Sequence, residues 1–201
     1  ITDFVMLERR AFAGGTWLQN RYPGAAVDVQ SPLYSLADMP YPWTQMFVTQ
    51  PELAQYTQAV FAQFALTPHI QLNQNVNAAR WDAQAQHWFL TINDTHTLTA
   101  QYIINATGPL SSPVIPDFPG KSTFTGTSFH TNDWPKDLDL TKQRVAVVGS
   151  GASAAQVIPA IVDDVAALHV FQRSPHWIVP RPDISFPRWL QRLLGHKWIY
   201  N

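Results

Sequence analysis

Length, composition and charge set the first limits on what this chain can be. Its 201 residues are 46% hydrophobic and 13% charged, which is typical of a globular protein with one or two domains and a buried core. A formal net charge of −1 gives no electrostatic reason to expect nucleic acid as a partner. The absence of cysteine excludes disulfides and cysteine-based redox or metal sites within the sequence, and it favours a reducing, cytoplasmic location. No apolar run reaches the roughly 20 residues of a membrane span, so membrane association is not expected.

Four kinds of structure are predicted in the first half of the chain. Residues 1–8 form a short apolar run that ends in Glu8, which is typical of a buried strand. Residues 11–35 are rich in glycine, proline and polar side chains and predict a long ordered loop. A helix is expected over 51–65, since Pro51 suits a first helical turn and apolar residues recur on one face. Three strands of an antiparallel meander are then predicted at 76–81, 87–92 and 97–105, with a turn at 93–96.

The second half begins with a connector and continues as a strand–turn–helix–strand unit. The proline-rich residues 107–120 indicate a boundary between domains. The pattern predicts strands at 144–148 and 167–173 and, between them, a helix that starts at 152 and that Pro159 should kink. The amphipathic tail 188–200 is expected to pack on a domain outside this sequence, with a helix on a membrane surface as the alternative.

The clearest chemical signal lies between the strand and the helix of that unit. Residues 149–154 are G-S-G-A-S-A, which matches the G-x-G-x-x-A pattern of a dinucleotide-binding turn. Gly149 permits the tight turn, Gly151 lets the backbone approach a pyrophosphate, and the small Ala154 lets the helix pack close to the strand. The helix N-terminus would then present free N–H groups and a positive dipole to the phosphates. A glycine-rich turn in another kind of α/β protein is the alternative.

The end of the next strand indicates which dinucleotide is bound. A carboxylate there would bind a free ribose 2′-hydroxyl, whereas an arginine would accept a 2′-phosphate. Arg173 occupies this place, between Gln172 and Ser174, and no carboxylate ends the strand. Since a guanidinium makes bidentate, charge-assisted contacts with phosphate, the pattern predicts an NADPH site. A surface arginine without a ligand is the alternative.

The start of the chain gives a complementary signal. Glu8 ends an apolar strand, where an acid would hold an adenosine ribose with a free 2′-hydroxyl. Its glycine turn would lie about 20 residues earlier, so we expect the sequence to begin inside a second nucleotide-binding unit. An unphosphorylated ribose beside an NADPH unit suggests FAD. An exposed glutamate without a ligand is the alternative.

A longer motif lies between the connector and residue 144. Phe124, Gly126, His130, Trp134 and Pro135 form the pattern F-x-G-x-x-x-H-x-x-x-W-P, shortly before the G-x-G-x-x-A strand. This arrangement resembles the fingerprint of the Baeyer–Villiger monooxygenases, which are class B flavoprotein monooxygenases. The resemblance extends to three segments, similar to that family's flavin-facing segment, inter-domain connector and NADPH-phosphate strand: 14–34, 104–120 and 170–183.

The resemblance implies an α/β fold with two Rossmann-like dinucleotide-binding domains, for FAD and NADPH, and a small antiparallel β-meander, truncated at both ends. It places a partial FAD-binding domain at 1–110, a connector with the fingerprint at 111–143, and a partial NADPH-binding domain at 144–201. The first FAD glycine loop and the C-terminal part, with the family's catalytic arginine, are expected to lie outside the sequence. Three arginines do not match that residue: Arg181, Arg188 and Arg192.

Site residues are implied by the same resemblance, position by position. In the flavin half, Glu8 would bind the FAD ribose, Thr16 and Trp17 would line the pyrophosphate and ring, and Tyr34 would contact the flavin. Asp28 would lie near the isoalloxazine and orient the catalytic arginine. In the nucleotide half, Gly149, Gly151, Ser153 and Gln156 would hold the NADPH pyrophosphate, with Arg173 and Ser174 on the 2′-phosphate. His130 would lie at the domain junction and couple domain position to cofactor handling. Local roles stay open as alternatives: Asp28 as a loop cap, His130 as a hydrogen-bonded structural residue, and Trp134 with Pro135 as a packing corner.

The implied reaction is a Baeyer–Villiger oxidation. NADPH would reduce FAD, and one oxygen atom of O2 would be inserted next to the carbonyl of a small-molecule ketone to give an ester or lactone. No metal site is predicted. Two alternatives stay open. One is a flavin monooxygenase that oxidises nitrogen or sulfur, whose fingerprint usually lacks the Trp-Pro end, and the other is a non-catalytic NADPH-binding module.

Overall fold

The computed structural model describes residues 2–199 as a mixed α/β chain. Its strands are β1 (Met6–Leu7), β2 (Ile70–Gln71), β3 (Val76–Asp82), β4 (His87–Ile92), β5 (His96–Ala100), β6 (Arg144–Val148) and β7 (Ala167–Phe171). Its helices are α1 (Thr16–Gln19), α2 (Ser31–Tyr34), α3 (Gln50–Gln63), α4 (Ala152–Ile161) and α5 (Arg188–Leu194), with 3-10 turns at Thr67–His69, Lys121–Thr123, Thr131–Asp133 and Lys197–Ile199. The sheets are a parallel β1–β2 pair, an antiparallel β3–β4–β5 meander and a parallel β6–β7 pair. Within residues 2–199 no helix combines the length and apolar character that crossing a bilayer requires.

The helix predicted over 51–65 is confirmed as α3. Pro51 and Glu52 lie in its first turn, where a missing N–H is harmless and a negative charge suits the helix dipole. Leu53 and Tyr56 are buried on its inner face. Ala65 follows the helix with a φ of 50°, a left-handed conformation that cannot continue it.

The predicted meander is confirmed, but its third strand is shorter than expected. Asn93 and Asp94 form the β4–β5 turn with φ angles of 52° and 56°, the left-handed geometry that matches the twist of a hairpin. β5 ends at Ala100 because the residues after it find no partner strand among residues 2–199, and Tyr102 is 86% exposed. Of the strand predicted over 1–8, Ile1 lies outside the described residues, and among the others the strand is limited to Met6–Leu7, the two residues that pair with β2.

The strand–turn–helix–strand unit is confirmed as β6, α4 and β7, although β7 ends at Phe171 and the predicted strand end at Arg173 lies in the loop that follows. The two strands are parallel and in register, from Arg144 opposite Ala167 to Val148 opposite Phe171. α4 supplies the crossover connection that a parallel pair requires. Pro159 lies in the last turn of α4, where its missing N–H removes one hydrogen bond without ending the helix.

The larger hydrophobic core joins the N-terminal loops to the C-terminal tail. It contains Val27, Trp43, Phe47, Val48, Leu53, Tyr56, Phe186 and Leu194. The expectation that the tail packs on a domain outside this sequence is therefore wrong for the inner face of α5, because Leu194 is buried in this core. A hydrogen-bonded ion pair of 2.6 Å between Lys197 Nζ and the Asp38 carboxylate holds the end of the tail and lowers the pKa of Asp38.

A second core connects α4 to the loop that precedes Asp28. Tyr22, Ala25, Val157 and Ile161 are buried together in it, and Trp134 of the fingerprint packs against them. The β6–α4–β7 unit is thus packed directly on the segment 22–25. This contact brings Gln156 of α4 next to the segment that leads to Asp28.

Candidate nucleotide-binding site

The turn between β6 and α4 is an open glycine corner. Gly149 has a φ of 115°, a conformation that residues with side chains rarely adopt, and its N–H donates to the Phe171 carbonyl at 2.9 Å. Apart from the adjoining residues of the chain, no atom of the described residues lies within 4 Å of the place that a Cβ would take on Gly149 or Gly151. Ala154 is buried, as close packing of helix on strand requires. The corner is therefore fixed to β7 on one side and open to a ligand on the other.

α4 presents its N-terminus at this corner. Gly151 is the N-cap residue, and the first helical hydrogen bond runs from the Ala155 N–H to its carbonyl at 3.0 Å. The first N–H groups of a helix have no partner within it, and here the first turn holds the half-buried Ser153 and no acidic side chain. The positive end of the helix dipole adds to their attraction for anions. The arrangement therefore suits the phosphates of a nucleotide.

The loop after β7 brings a positive charge to the same corner. The Ser150 hydroxyl donates to the Ser174 carbonyl at 3.3 Å, which holds this loop beside the glycine turn. Arg173 precedes Ser174 and is exposed. It takes part in neither salt bridge of residues 2–199, which are Arg80–Asp82 and Lys197–Asp38. Its guanidinium is therefore available to a phosphate of a ligand.

The residues predicted to hold the flavin lie on three elements: Glu8 after β1, Thr16 and Trp17 on α1, and Tyr34 at the end of α2. Glu8 follows β1, is half-buried, and accepts a hydrogen bond of 2.8 Å from the Arg10 N–H through its carboxylate. Thr16 is exposed at the start of α1. Trp17 Nε1 donates to the Tyr34 hydroxyl at 2.9 Å, and the two rings meet edge to face. The structure thus brings Trp17 and Tyr34 together on one surface, while Glu8 lies at the end of β1.

Asp28 is exposed and lines a cavity of about 430 Å³ together with Arg181. Arg181 Nη1 donates to the Val27 carbonyl at 3.2 Å, and its guanidinium lies 5.4 Å from the centre of the Phe47 ring. The Asp183 carboxylate accepts from the Phe47 N–H at 3.1 Å. The segment that follows β7 is thereby fixed against the loop that carries Asp28.

Gln156 engages the segment before Asp28 with both atoms of its amide. The Tyr22 hydroxyl donates to Gln156 Oε1 at 3.0 Å, and Gln156 Nε2 donates to the Ala26 carbonyl at 2.9 Å. Gly24, with a φ of 78°, lies so close to α4 that a Cβ there would be 2.4 Å from the Gln156 carbonyl oxygen. The contact of Gln156 with the NADPH pyrophosphate stays a prediction, and in this structure its amide binds the protein itself.

The fingerprint residues form a loop beside α4. The Phe124 ring covers Gly126, where a Cβ would lie 2.5 Å from the ring. His130 is half-buried, and its Nδ1 accepts a hydrogen bond of 3.1 Å from the Asn132 N–H, which caps the short turn that follows. Trp134 contributes to the second core. These contacts are those of a structural histidine and a packing corner, and the packing of Trp134 places this corner next to α4.

Sequence reasoning missed three residues that hold this site together: Asn132, Arg181 and Gly24. Asn132 is buried, and its Oδ1 accepts a hydrogen bond of 3.2 Å from Gln19 Nε2 of α1. A Pro-Gly pair marks a turn, so Pro23 and Gly24 gave a local signal, although not of the close approach to α4. The sequence around Asn132 and Arg181 contains no signal for the distant groups that they contact.

Comparison with known families gives the class of the protein. Residues 28–196 match the family described as pyridine nucleotide-disulphide oxidoreductase, and the chain belongs to this family. Because the sequence contains no cysteine, none of its residues can form a redox disulfide.

Several relatives of this chain bear names that are more specific than the description of the family. A Baeyer–Villiger monooxygenase of Streptomyces coelicolor is 46% identical over 91% of this chain, and one of Pseudomonas aeruginosa is 41% identical over 90%. A phenazine N-monooxygenase of Lysobacter antibioticus is 39% identical over 87% of the chain. The chain spans only about a third of these proteins, 35%, 34% and 34% of their respective lengths.

Solved structures agree with the sequence comparison. OTEMO in complex with FAD and NADP superposes with a TM-score of 0.90 at 33% identity, covering 98% of this chain and 38% of that one. Cyclohexanone monooxygenase from Rhodococcus sp. Phi1 bound to NADP+ gives a TM-score of 0.88, with the same identity and coverage. The predicted resemblance to Baeyer–Villiger monooxygenases and the Rossmann-type α/β class are thereby confirmed.

Proposed function

We propose that the complete protein is an FAD- and NADPH-dependent Baeyer–Villiger monooxygenase that converts a small-molecule ketone to an ester or lactone. The observation that carries this proposal is the open corner at Gly149 and Gly151 beside Arg173, in a chain whose relatives bear this name. The proposal includes two Rossmann-like domains, at 1–110 and 144–201, with the connector at 111–143. It also includes a cytoplasmic location.

NADPH would be held by the corner and by the loop after β7. Gly149, Gly151 and Ser153 lie at the N-terminus of α4, whose free N–H groups suit the pyrophosphate. Arg173 and Ser174 lie in the loop that the Ser150 hydroxyl draws to this corner, where the guanidinium can pair with the 2′-phosphate. The first turn of α4 holds no carboxylate that would repel the phosphates.

FAD would be held by Glu8 at its ribose and by Thr16, Trp17 and Tyr34 nearer its pyrophosphate and ring. The chemistry that bound FAD would contribute is the acceptance of hydride from NADPH and the reaction with O2. Asp28 would orient the catalytic arginine that the family resemblance implies. The apolar side chains around Asp28, Met46 and Phe47 among them, would limit the entry of water to this site.

Oxidation of nitrogen or sulfur is the second candidate. The observation that favours it is the 39% identity to a phenazine N-monooxygenase. The Trp134–Pro135 end of the fingerprint favours the ketone reaction.

Product analysis of the complete gene product decides between these candidates. The purified protein, loaded with FAD, is supplied with NADPH and 18O2 and, in parallel, with cyclohexanone, a thioether and a tertiary amine. We expect a lactone that carries one 18O atom and a preference for NADPH over NADH. A sulfoxide or N-oxide with no lactone would replace the proposal by its alternative. Nucleotide binding without any NADPH oxidation would leave a binding module.

A further inference from the structure

Two side chains of the nucleotide-binding unit hold the backbone directly before Asp28. Gln156 Nε2, on α4, donates to the Ala26 carbonyl at 2.9 Å, and Arg181 Nη1, after β7, donates to the Val27 carbonyl at 3.2 Å. The two carbonyls are consecutive, and the next residue is Asp28. We propose that Gln156 and Arg181 are positioning residues that form a clamp on Ala26 and Val27 and pass nucleotide occupancy of the glycine corner to Asp28. The role of Asp28 in this inference rests on the proposed function.

On the Gln156 side of the clamp, the side-chain amide is held in one orientation. Its amide is oriented at both ends, because the Tyr22 hydroxyl donates to Oε1 at 3.0 Å while Nε2 reaches Ala26. Val157, the next residue of α4, is buried in the second core. Gly24 approaches the backbone of α4 more closely than any residue with a Cβ could. A shift of α4 when a nucleotide binds at its N-terminus must therefore displace the segment that leads to Asp28.

The Arg181 side of the clamp is connected along the chain to Arg173, the residue proposed to contact the 2′-phosphate. Arg181 follows Arg173 in the segment that leaves β7, and this segment ends on the loop 44–47 through backbone hydrogen bonds. The Met46 N–H donates to the Ile184 carbonyl at 2.9 Å, and the Phe186 N–H donates to the Thr44 carbonyl at 2.7 Å. The segment between the 2′-phosphate residue and the Val27 carbonyl is therefore anchored at both ends.

The clamp adds a link to a segment that is already held by other contacts. The Val27 N–H donates to the Val48 carbonyl at 3.1 Å, and the Gln50 N–H donates to the Ala25 carbonyl at 2.8 Å. These two bonds form the antiparallel bridge between Ala26 and Thr49, which attaches the segment to the loop before α3. The carbonyls of Ala26 and Val27 accept hydrogen bonds from the other side, from Gln156 and Arg181. Asp28 thus directly follows the backbone that is hydrogen-bonded both to the loop before α3 and to the nucleotide-binding unit.

Hydrogen exchange of the peptide 23–30, with and without saturating NADP+, tests the clamp in the complete, FAD-loaded protein. We expect NADP+ to slow this exchange about two- to tenfold in the wild type, the factor that one net hydrogen bond contributes. Gln156→Glu keeps the side-chain size but loses the donor, and Arg181→Met keeps the stem but loses the guanidinium. Both variants should lose most of the NADP+ effect, and Arg181→Lys, which keeps a donor, should regain part of it. Arg188→Met on the exposed start of α5 is the control for loss of charge.

The NADP+-dependent change separates positioning from plain stabilisation, since a merely structural contact would alter exchange equally with and without NADP+. An unchanged peptide 23–30 in the wild type, or a full NADP+ effect in both clamp variants, would overturn the clamp. Product yield then tests its consequence for catalysis. At saturating NADPH we expect both variants to form about two- to tenfold less oxygenated product per NADPH, whichever substrate is oxidised. A wild-type product yield in both clamp variants would overturn the link to Asp28. If the wild-type protein oxygenates no substrate, the proposed function is rejected, and the hydrogen-exchange result alone decides whether the clamp exists.

Discussion

Replacement of Gly24 by alanine tests the close contact between α4 and the segment before Asp28. Gly24 has a φ of 78°, and a Cβ would lie 2.4 Å from the Gln156 carbonyl oxygen and 3.0 Å from the Ala160 Cβ. Gly108 offers a matched control, because its φ is 76° and, apart from the adjoining residues, no described residue lies within 4 Å of its Cβ position. Both substitutions carry the left-handed backbone cost of about 1–2 kcal/mol, and both restrict the unfolded chain equally. Only Gly24→Ala adds overpacking against backbone atoms, at about 1–3 kcal/mol.

The difference between the two variants therefore isolates the packing term. We expect the melting temperature of Gly24→Ala to fall below that of Gly108→Ala by about 2–4 °C for each kcal/mol of extra destabilisation. Thermal and urea unfolding of the two purified variants and the wild type measure this difference. Equal loss of stability in both variants would show that α4 does not approach Gly24 as described, and it would remove one support of the clamp.

Three further predictions concern single side chains. Arg173→Ala should weaken the binding of NADPH by roughly 10- to 150-fold, because a charge-assisted contact of about 1.5–3 kcal/mol is lost, and should change the binding of NADH little. Equal kinetic constants for NADPH in wild type and variant would reject the assignment of Arg173 to the 2′-phosphate. His130→Ala should still bind FAD but form less product per NADPH, since His130 caps the turn that leads to Trp134, which packs on α4 at the proposed domain junction; a wild-type yield would leave it a purely local residue. Leu194→Ala should lower the free energy of unfolding by about 2–5 kcal/mol because it opens a cavity in the larger core, whereas alanine at Trp189, which is 67% exposed, should change it by about 0.5 kcal/mol or less. Similar unfolding curves for these last two variants would place α5 outside the core.

Local patterns in the sequence determined the elements that depend on near neighbours. The β6–α4–β7 unit and α3 lie where apolar periodicity, the glycine turn and Pro51 predict them, because short-range sterics and hydrogen bonds are enough to specify them. The left-handed turn at Asn93 follows from the same kind of local chemistry. The candidate nucleotide-binding corner was therefore predictable as a place in the chain before any packing was known.

Only the tertiary structure decided which distant groups meet. β1 is confined to the two residues opposite β2, because a strand exists only where a partner offers its hydrogen bonds. Leu194 is buried against residues near the start of the chain, and an amphipathic pattern specifies a buried face without specifying what covers it. Gln156 and Arg181 carry donors that could serve a ligand, water or protein equally well. The carbonyls of Ala26 and Val27 become their partners because the packing of α4 and of the segment after β7 brings them within reach.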